Sequence, residues 1–209
     1  GHERVRGIKV DENNNLFVCG GTTGNLNQLS NNGESDAWIS KYDADGNLIW
    51  SDVYGSSGDD FAQTIDINKE GDIYVTGSCG GSIDGEVFKA HSGARDMFVS
   101  KYSKNGERLW TRDFGTYYWD QASEFCLLND GSIAIVGVSG GDFEGTVNQG
   151  SDDVVLMKLD SDGNKIWSKQ LASDLFDHGG TIDSDNDGFI YIGGWSNGDL
   201  KGEELDLTN

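Results

Sequence analysis

The stretch Asp36-Ala-Trp-Ile-Ser-Lys-Tyr-Asp-Ala-Asp-Gly-Asn-Leu-Ile-Trp50 decides the fold, because the chain carries it three times. It returns as Asp96-Met-Phe-Val-Ser-Lys-Tyr-Ser-Lys-Asn-Gly-Glu-Arg-Leu-Trp110 and as Asp153-Val-Val-Leu-Met-Lys-Leu-Asp-Ser-Asp-Gly-Asn-Lys-Ile-Trp167. Trp50, Trp110 and Trp167 lie 60 and then 57 residues apart, and Lys41, Lys101 and Lys158 keep the same two spacings. A second segment occurs four times. Ile8-Lys-Val-Asp11 with Leu16-Phe-Val-Cys-Gly20 matches Ile65-Asp-Ile-Asn68 with Ile73-Tyr-Val-Thr-Gly77. Phe125-Cys-Leu-Leu128 with Ile133-Ala-Ile-Val-Gly137 follows, and then Thr181-Ile-Asp183 with Ile190-Tyr-Ile-Gly-Gly194. A long fixed period of this kind marks one structural unit copied along the chain.

Each unit holds four short runs rich in β-branched and aromatic residues, here termed A (Thr64 to Ile67), B (Ile73 to Thr76), C (Met97 to Tyr102) and D (Arg108 to Phe114). Asp43-Ala-Asp-Gly46, Ser103-Lys-Asn-Gly106 and Asp160-Ser-Asp-Gly163 join C to D, and their glycines supply the positive φ of a tight hairpin. Consecutive hairpins build a four-stranded antiparallel meander of about 40–60 residues, the size of one propeller blade. An up-and-down barrel would need neither so long a period nor one Trp per four strands. The expectation is an all-β fold: a β-propeller of four-stranded antiparallel blades forming one domain over residues 1–209. Its parts are blade 1 over 4–54, blade 2 over 61–114, blade 3 over 121–171 and a half-blade over 178–209. About three and a half blades make an incomplete ring. The last segment, Gly198-Asp-Leu-Lys-Gly202, repeats Gly141-Asp-Phe-Glu-Gly145 and Gly81-Ser-Ile-Asp-Gly85, the connection that precedes run C. Both ends therefore carry A and B, which do not complement one another. This predicts a piece of a longer propeller, or a partner chain covering the exposed edge.

Composition narrows the function. The chain has 209 residues, 31 Gly, no Pro and a formal charge of −21. That charge repels phosphates, so nucleic acid and anionic membranes are not expected partners. No apolar run approaches the ~18 residues of a membrane span. Three cysteines, Cys19, Cys79 and Cys126, show neither a disulfide framework nor metal-ligand spacing. Cys19 and Cys126 sit in apolar runs, as small buried hydrophobes do.

The units resemble the bacterial SBBP-type β-propeller repeats. The residues that carry the resemblance run from Asp36 to Tyr54, through Gly55-Ser-Ser-Gly-Asp-Asp60, Ala62, Ile65 and Gly71, to Tyr74-Val-Thr-Gly77. The resemblance implies secreted or cell-surface bacterial proteins, usually with no assigned enzymatic activity. Two joints depart from the pattern: Tyr117-Tyr-Trp-Asp120 and Leu175-Phe-Asp177.

In a meander the A–B and C–D turns share one end, while the B–C and D–A connections share the other. The second end carries the long divergent loops, including Ser78 to Arg95 and Ser139 to Asp152, and binding is expected there. Tyr117, Tyr118 and Trp119 are the candidate binding residues, because flat rings with polar tips suit sugar faces and protein hot spots. The competing reading, favoured at this stage, packs them against a neighbouring blade. Trp50, Trp110 and Trp167 read as inter-blade packing, since a residue present in every unit serves the unit. Lys41, Lys101 and Lys158 share their spacings with Asp60, Asp120 and Asp177, which predicts lysine–aspartate pairs tying blades together. Asp183, Asp185 and Asp187 spell the opening of a calcium loop, although Gly194 stands where the closing Glu belongs. The same place in the other units is an ordinary hairpin.

With three His and no nucleophile elbow, zinc-binding helix motif or phosphate loop, no catalytic set is visible. The expectation is a non-catalytic module that binds protein or glycan, or acts as a scaffold, with no required cofactor. The alternatives are a polysaccharide-acting enzyme domain using loop carboxylates and a calcium-stabilised structural repeat.

Overall fold

A computed structural model of the chain describes residues 1–83 and 95–199. The expected continuation of the last unit over 200–209, and part of the Ser78 to Arg95 loop, lie outside the described residues. The described chain is all-β. Its strands, in order, are β1 (Glu3–Val10), β2 (Leu16–Thr22), β3 (Asp36–Tyr42), β4 (Leu48–Tyr54), β5 (Phe61–Ile67), β6 (Ile73–Cys79), β7 (Asp96–Tyr102) and β8 (Arg108–Phe114). They continue as β9 (Asp120–Leu127), β10 (Ile133–Ser139), β11 (Asp153–Leu159), β12 (Lys165–Leu171), β13 (Asp177–Ser184) and β14 (Ile190–Ser196). Strands β1–β4, β5–β8 and β9–β12 form three four-stranded antiparallel sheets, each in chain order, and β13–β14 form a hairpin. They are called sheets I, II and III and the final hairpin below.

The sheets stack in sequence order. Strand β5 packs on β1, β2 and β3; β9 packs on β5, β6 and β7; β13 packs on β9, β10 and β11. Three apolar layers fill the gaps. Phe17, Ile39 and Tyr54 meet Ile65, Val75 and Phe98 between sheets I and II. Tyr74, Val99 and Phe114 meet Phe125, Ile135 and Met157 between sheets II and III. Val136, Val154 and Leu156 meet Ile182 of the final hairpin. Strands β6 and β10, covered on both faces, are buried at every position. That is why their sequences hold small and apolar residues on both faces instead of alternating.

The first strand of every unit carries a bulge at the same place. Register slips between Val5 and Gly7, between Ala62 and Thr64, between Ala122 and Glu124, and between Gly179 and Thr181. Run A therefore starts earlier than its alternation indicates: β5 begins at Phe61, not Thr64. The extra residue shifts the two-residue side-chain rhythm, so Ala62 and Ile65 both face the core although three positions apart.

Two of the three repeat tryptophans, Trp50 and Trp110, bridge neighbouring sheets as expected, and Trp167 packs on the layer beneath the final hairpin. Trp50 of β4 stacks on Tyr102 of sheet II at 6.2 Å between ring centroids. It rests on the C–D turn of that sheet, where a Cβ on Gly106 would come within 2.6 Å of the indole. Trp110 meets the turn of sheet III at Gly163 in the same way.

The lysine expectation is corrected. Lys101 pairs with Asp72 at 3.0 Å and Lys158 with Asp130 at 3.1 Å, and Lys41 comes within 4.0 Å of Asp11. All three carboxylates belong to the A–B turn of the same sheet. Asp60, Asp120 and Asp177 lie at the opposite end, where strands β5, β9 and β13 begin. Equal spacing reported equivalence between units, and the length of strand C carried the ammonium away from those aspartates.

Candidate functional site

Tyr117, Tyr118 and Trp119 occupy the turn from β8 to β9, and a hydrogen-bonded frame pushes them outward. The Thr116 N–H and hydroxyl donate to Asp120 Oδ2 at 2.6 and 3.0 Å, and the Tyr118 N–H donates to the Thr116 hydroxyl at 3.1 Å. The Asp120 N–H reaches back to the Arg95 carbonyl at 2.7 Å. The turn is thus tied to sheet II on one side and to sheet III on the other. With its backbone consumed in this way, the turn has only solvent into which to direct its rings. Tyr117 is 61% exposed, Tyr118 59% and Trp119 37%. None of the three rings is buried between sheets, although Tyr118 lies against the Gly140–Gly141 loop of sheet III. Tyr117 and Tyr118 meet edge to face, with centroids 5.8 Å apart.

Across from them, the loop between β10 and β11 makes the other wall. Gly140 and Gly141 let it approach the Tyr118 ring closely, since a Cβ on Gly141 would stand 2.9 Å from Tyr118 Cδ2. The Gly140 N–H donates to the Trp119 carbonyl at 2.9 Å, joining the two walls. Phe143, fully buried, anchors the short 3-10 turn Phe143–Gly145. Gln170 of β12 fastens the loop from below: its amide donates to the Gly141 carbonyl and to Asp153 Oδ2, both at 3.0 Å, and its oxygen accepts from the Phe143 N–H at 3.2 Å. The Asn148 N–H closes the loop tip on Asp142 Oδ1 at 2.9 Å. Phe176, from the next turn, completes the enclosure.

The result is an open cleft of about 1130 Å³ lined by Tyr117, Tyr118, Trp119, Phe176, Asp142 and Asp152 along with Asn148 and several glycines. Among the described residues no Lys or Arg lines it. Four aromatic rings offer flat apolar faces, and the carboxylates and the Asn amide offer hydrogen-bonding groups between them. Such a surface can hold a ligand with hydroxyls and C–H faces, and it disfavours anions.

No family model matches the chain. The chain is 28% identical over 170 residues to the "Regulatory protein FlaEY" of Caulobacter vibrioides. That match covers 78% of the chain but only 17% of the relative, so the chain spans a small part of that protein's length.

The other predicted group lies at the opposite end of the strands. Asp185 caps the turn of the final hairpin: its Oδ1 accepts the N–H groups of Asp187 and Phe189 at 3.0 and 2.9 Å, and its Oδ2 accepts the Tyr191 hydroxyl at 2.8 Å. The Tyr191 hydrogen bond, followed by those from the backbone, holds the Asp185 carboxyl below the usual range. Asp183 turns instead to the Ser184 N–H at 2.8 Å. Asp43 and Asp160 cap the C–D turns of sheets I and III in the same manner. Among the described residues no three His, Cys, Asp or Glu side chains gather as a metal site would require.

Sequence reasoning located the end of the molecule and the aromatic wall. It missed Asp142, Asn148, Asp152 and Phe176 as residues of the same cleft. The signal for Phe176 was present, since its joint was already marked as a departure from the repeat. Asp142 and Asp152 carried none, because acidic residues fill every loop of this chain.

Proposed function

We propose that the chain is an arc of a β-propeller serving as a non-catalytic glycan-binding module of a secreted or cell-surface bacterial protein. The observation that carries the reading is the exposed Tyr117–Trp119 wall facing Asp142, Asn148 and Asp152 across one cleft. Aromatic faces stack on the C–H faces of a sugar ring, and the carboxylates and the amide take its hydroxyls. With −21 formal charge and no basic residue in the lining, the ligand is a neutral or amine-bearing saccharide, not an acidic one.

The propeller reading rests on stacking and on a contrast in burial. Ile65 and Ile182, at one repeat position, are each 5% exposed because a preceding sheet covers them, whereas Ile8 at the same position is 65% exposed. Val5 and Val10 extend that apolar face of β1, and Tyr191 and Trp195 expose a second one on the final hairpin. Further sheets of the same kind, or a partner chain, fit both faces. The regulatory role named for the Caulobacter relative is compatible with a module that binds without turnover.

The test is a glycan array followed by calorimetry with neutral oligosaccharides. Trp119→Ala and Tyr117→Ala are expected to weaken binding by about tenfold or more each, the usual effect of removing an aromatic anchor. Binding confined to peptides would overturn the sugar assignment. Sugar release that disappears in Asp152→Asn would replace the binding module with a polysaccharide-acting enzyme.

A further inference from the structure

At the first and the last passage from one sheet to the next, two buried aspartates come close enough to interact. Asp36 opens β3 and Asp60 immediately precedes β5, and both residues are completely buried. Asp60 is richly supplied with donors. Its Oδ2 accepts the Ser56 N–H at 2.7 Å and the Ser56 hydroxyl at 3.0 Å, and its Oδ1 accepts the Gly80 N–H at 3.1 Å. Asp36 receives the Asn32 N–H at 2.7 Å on Oδ2, while its buried Oδ1 has no donor. Gly55 marks where the two meet. A Cβ built there would stand 2.7 Å from Asp36 Oδ1 and 2.7 Å from Asp60 Oδ2, so the donorless oxygen and the accepting oxygen crowd one point.

The passage from sheet III to the final hairpin repeats the pattern. Asp177 accepts the Ser173 N–H at 2.5 Å and its hydroxyl at 3.0 Å. Asp153 accepts the Gln149 N–H at 2.8 Å and the Gln170 amide at 3.0 Å on Oδ2, and its buried Oδ1 has no donor. Both residues are buried. The same two strand positions at the middle passage hold Asp96 and Asp120, also buried.

Two ionised carboxylates in such a space repel, and a buried oxygen without a donor carries its own desolvation cost. One proton removes both penalties. A cation would remove the repulsion too, but the lining is made of N–H and O–H donors, which stabilise an anion and oppose a positive ion. We propose that the Asp36–Asp60 and Asp153–Asp177 pairs each hold one shared proton, carried on the donorless oxygen of the first aspartate. The sheet-to-sheet corners are thereby fastened in mildly acid solution and loosened as the pH rises.

The electrostatics of the surroundings agree in direction. Burial pushes Asp60 up to about 6, and the neighbouring Asp36 adds to the shift. Burial likewise raises Asp36, and it raises Asp153 to about 6 with Asp177 and Asp152 adding. The other groups around the first corner are the Cys79 thiol, held neutral by burial, with Asp113 and Asp96 beyond it, and the Asp59–Arg95 ion pair at 2.8 Å. None of these places a free positive charge against the pair. The folded state thus holds protons that the unfolded chain, with carboxyls near ~4, gives up. Folded-state affinity is the higher one, so stability is greatest in acid, falls as pH climbs from about 4 through about 6, and stays low above that.

Unfolding equilibria of the chain at about pH 5 and about pH 8 test this, with each corner expected to change the unfolding constant roughly tenfold between them. Asp36→Asn supplies a neutral amide donor in place of the protonated carboxyl. It is expected to stabilise the chain at the higher pH, to leave it unchanged or weaker at the lower, and to remove one corner's share of the pH dependence. Asp45→Asn, in an exposed turn, controls for the general relief of negative charge and leaves the pH dependence intact. Should the Asp36 variant fail to fold, carboxyl-carbon NMR of the wild-type chain reads the same proton directly. An aspartate titrating near 6 supports the proposal, and normal values for every aspartate overturn it. A gain in Tm with calcium chloride that Asp36→Asn abolishes would put a cation where the proton is placed, and would also overturn it.

Discussion

Gly106→Ala isolates the contact by which one sheet seats the tryptophan of the one before it. Gly46 and Gly106 occupy the same turn position in sheets I and II, with φ of 83° and 89°. A side chain at such a φ costs about 1–2 kcal/mol in either place. The two sites differ only in what stands above them. A Cβ at Gly46 meets nothing within 4 Å, whereas at Gly106 it falls 2.6, 2.7 and 2.9 Å from three atoms of the Trp50 indole. The indole is held in place by its stack on Tyr102 and its contact with Phe17. Overpacking of this kind adds about 1–3 kcal/mol. Urea denaturation followed by Trp fluorescence should therefore place Gly106→Ala about 1–3 kcal/mol below Gly46→Ala. In a Trp50→Leu background the excess should vanish, leaving only the ~1–2 kcal/mol backbone cost. Equal costs for the two glycines in the wild-type background would refute the idea that the turn of sheet II forms the seat for Trp50.

Two further outcomes follow from side-chain placement. Asp185→Ala should lower the Tm by the same number of degrees with calcium chloride or with EDTA, because its oxygens are occupied by the turn; a loss seen only with calcium would restore the metal loop. All three thiols are free and buried, with burial pushing Cys19 up to about 12 and Cys126 up to about 11. Ellman's reagent should thus react with the chain only as it unfolds, and fast labelling of the native protein would show that one of these strands opens.

The divergent loops at one end of the sheets behave as loops on a rigid scaffold do. The hydrogen bonds that Asp60, Asp120 and Asp177 accept from Ser56, Thr116 and Ser173 recur at every passage between sheets, so the frame is shared while the residues it projects are not. Ser57-Gly58-Asp59 projects little at the first passage, Tyr117-Tyr118-Trp119 projects three rings at the second, and Asp174-Leu175-Phe176 adds one more at the third. A binding surface built this way changes its chemistry without disturbing the corners that hold it.

By itself the sequence determined the units, their hairpins and the end of the molecule that carries the divergent loops and the cleft. These are local matters: a strand and its turn are specified by side-chain alternation and by residues that accept positive φ, and both are written consecutively along the chain. The bulges at Arg6, Gln63, Ser123 and Gly180 escaped because an inserted residue breaks the alternation that reveals a strand. Only the tertiary structure decided what lies across from what. Lys101 and Asp120 share a period with their counterparts, yet Lys101 reaches Asp72 at the other end of the sheet. Tyr118 and Asp142 form one cleft although nothing in their spacing relates them. Asp36 and Asp60 share a buried corner, which nothing in their spacing announces, because that burial is created by two stacked sheets together. Equivalence repeats along a chain; contact between sheets arises only when they stack.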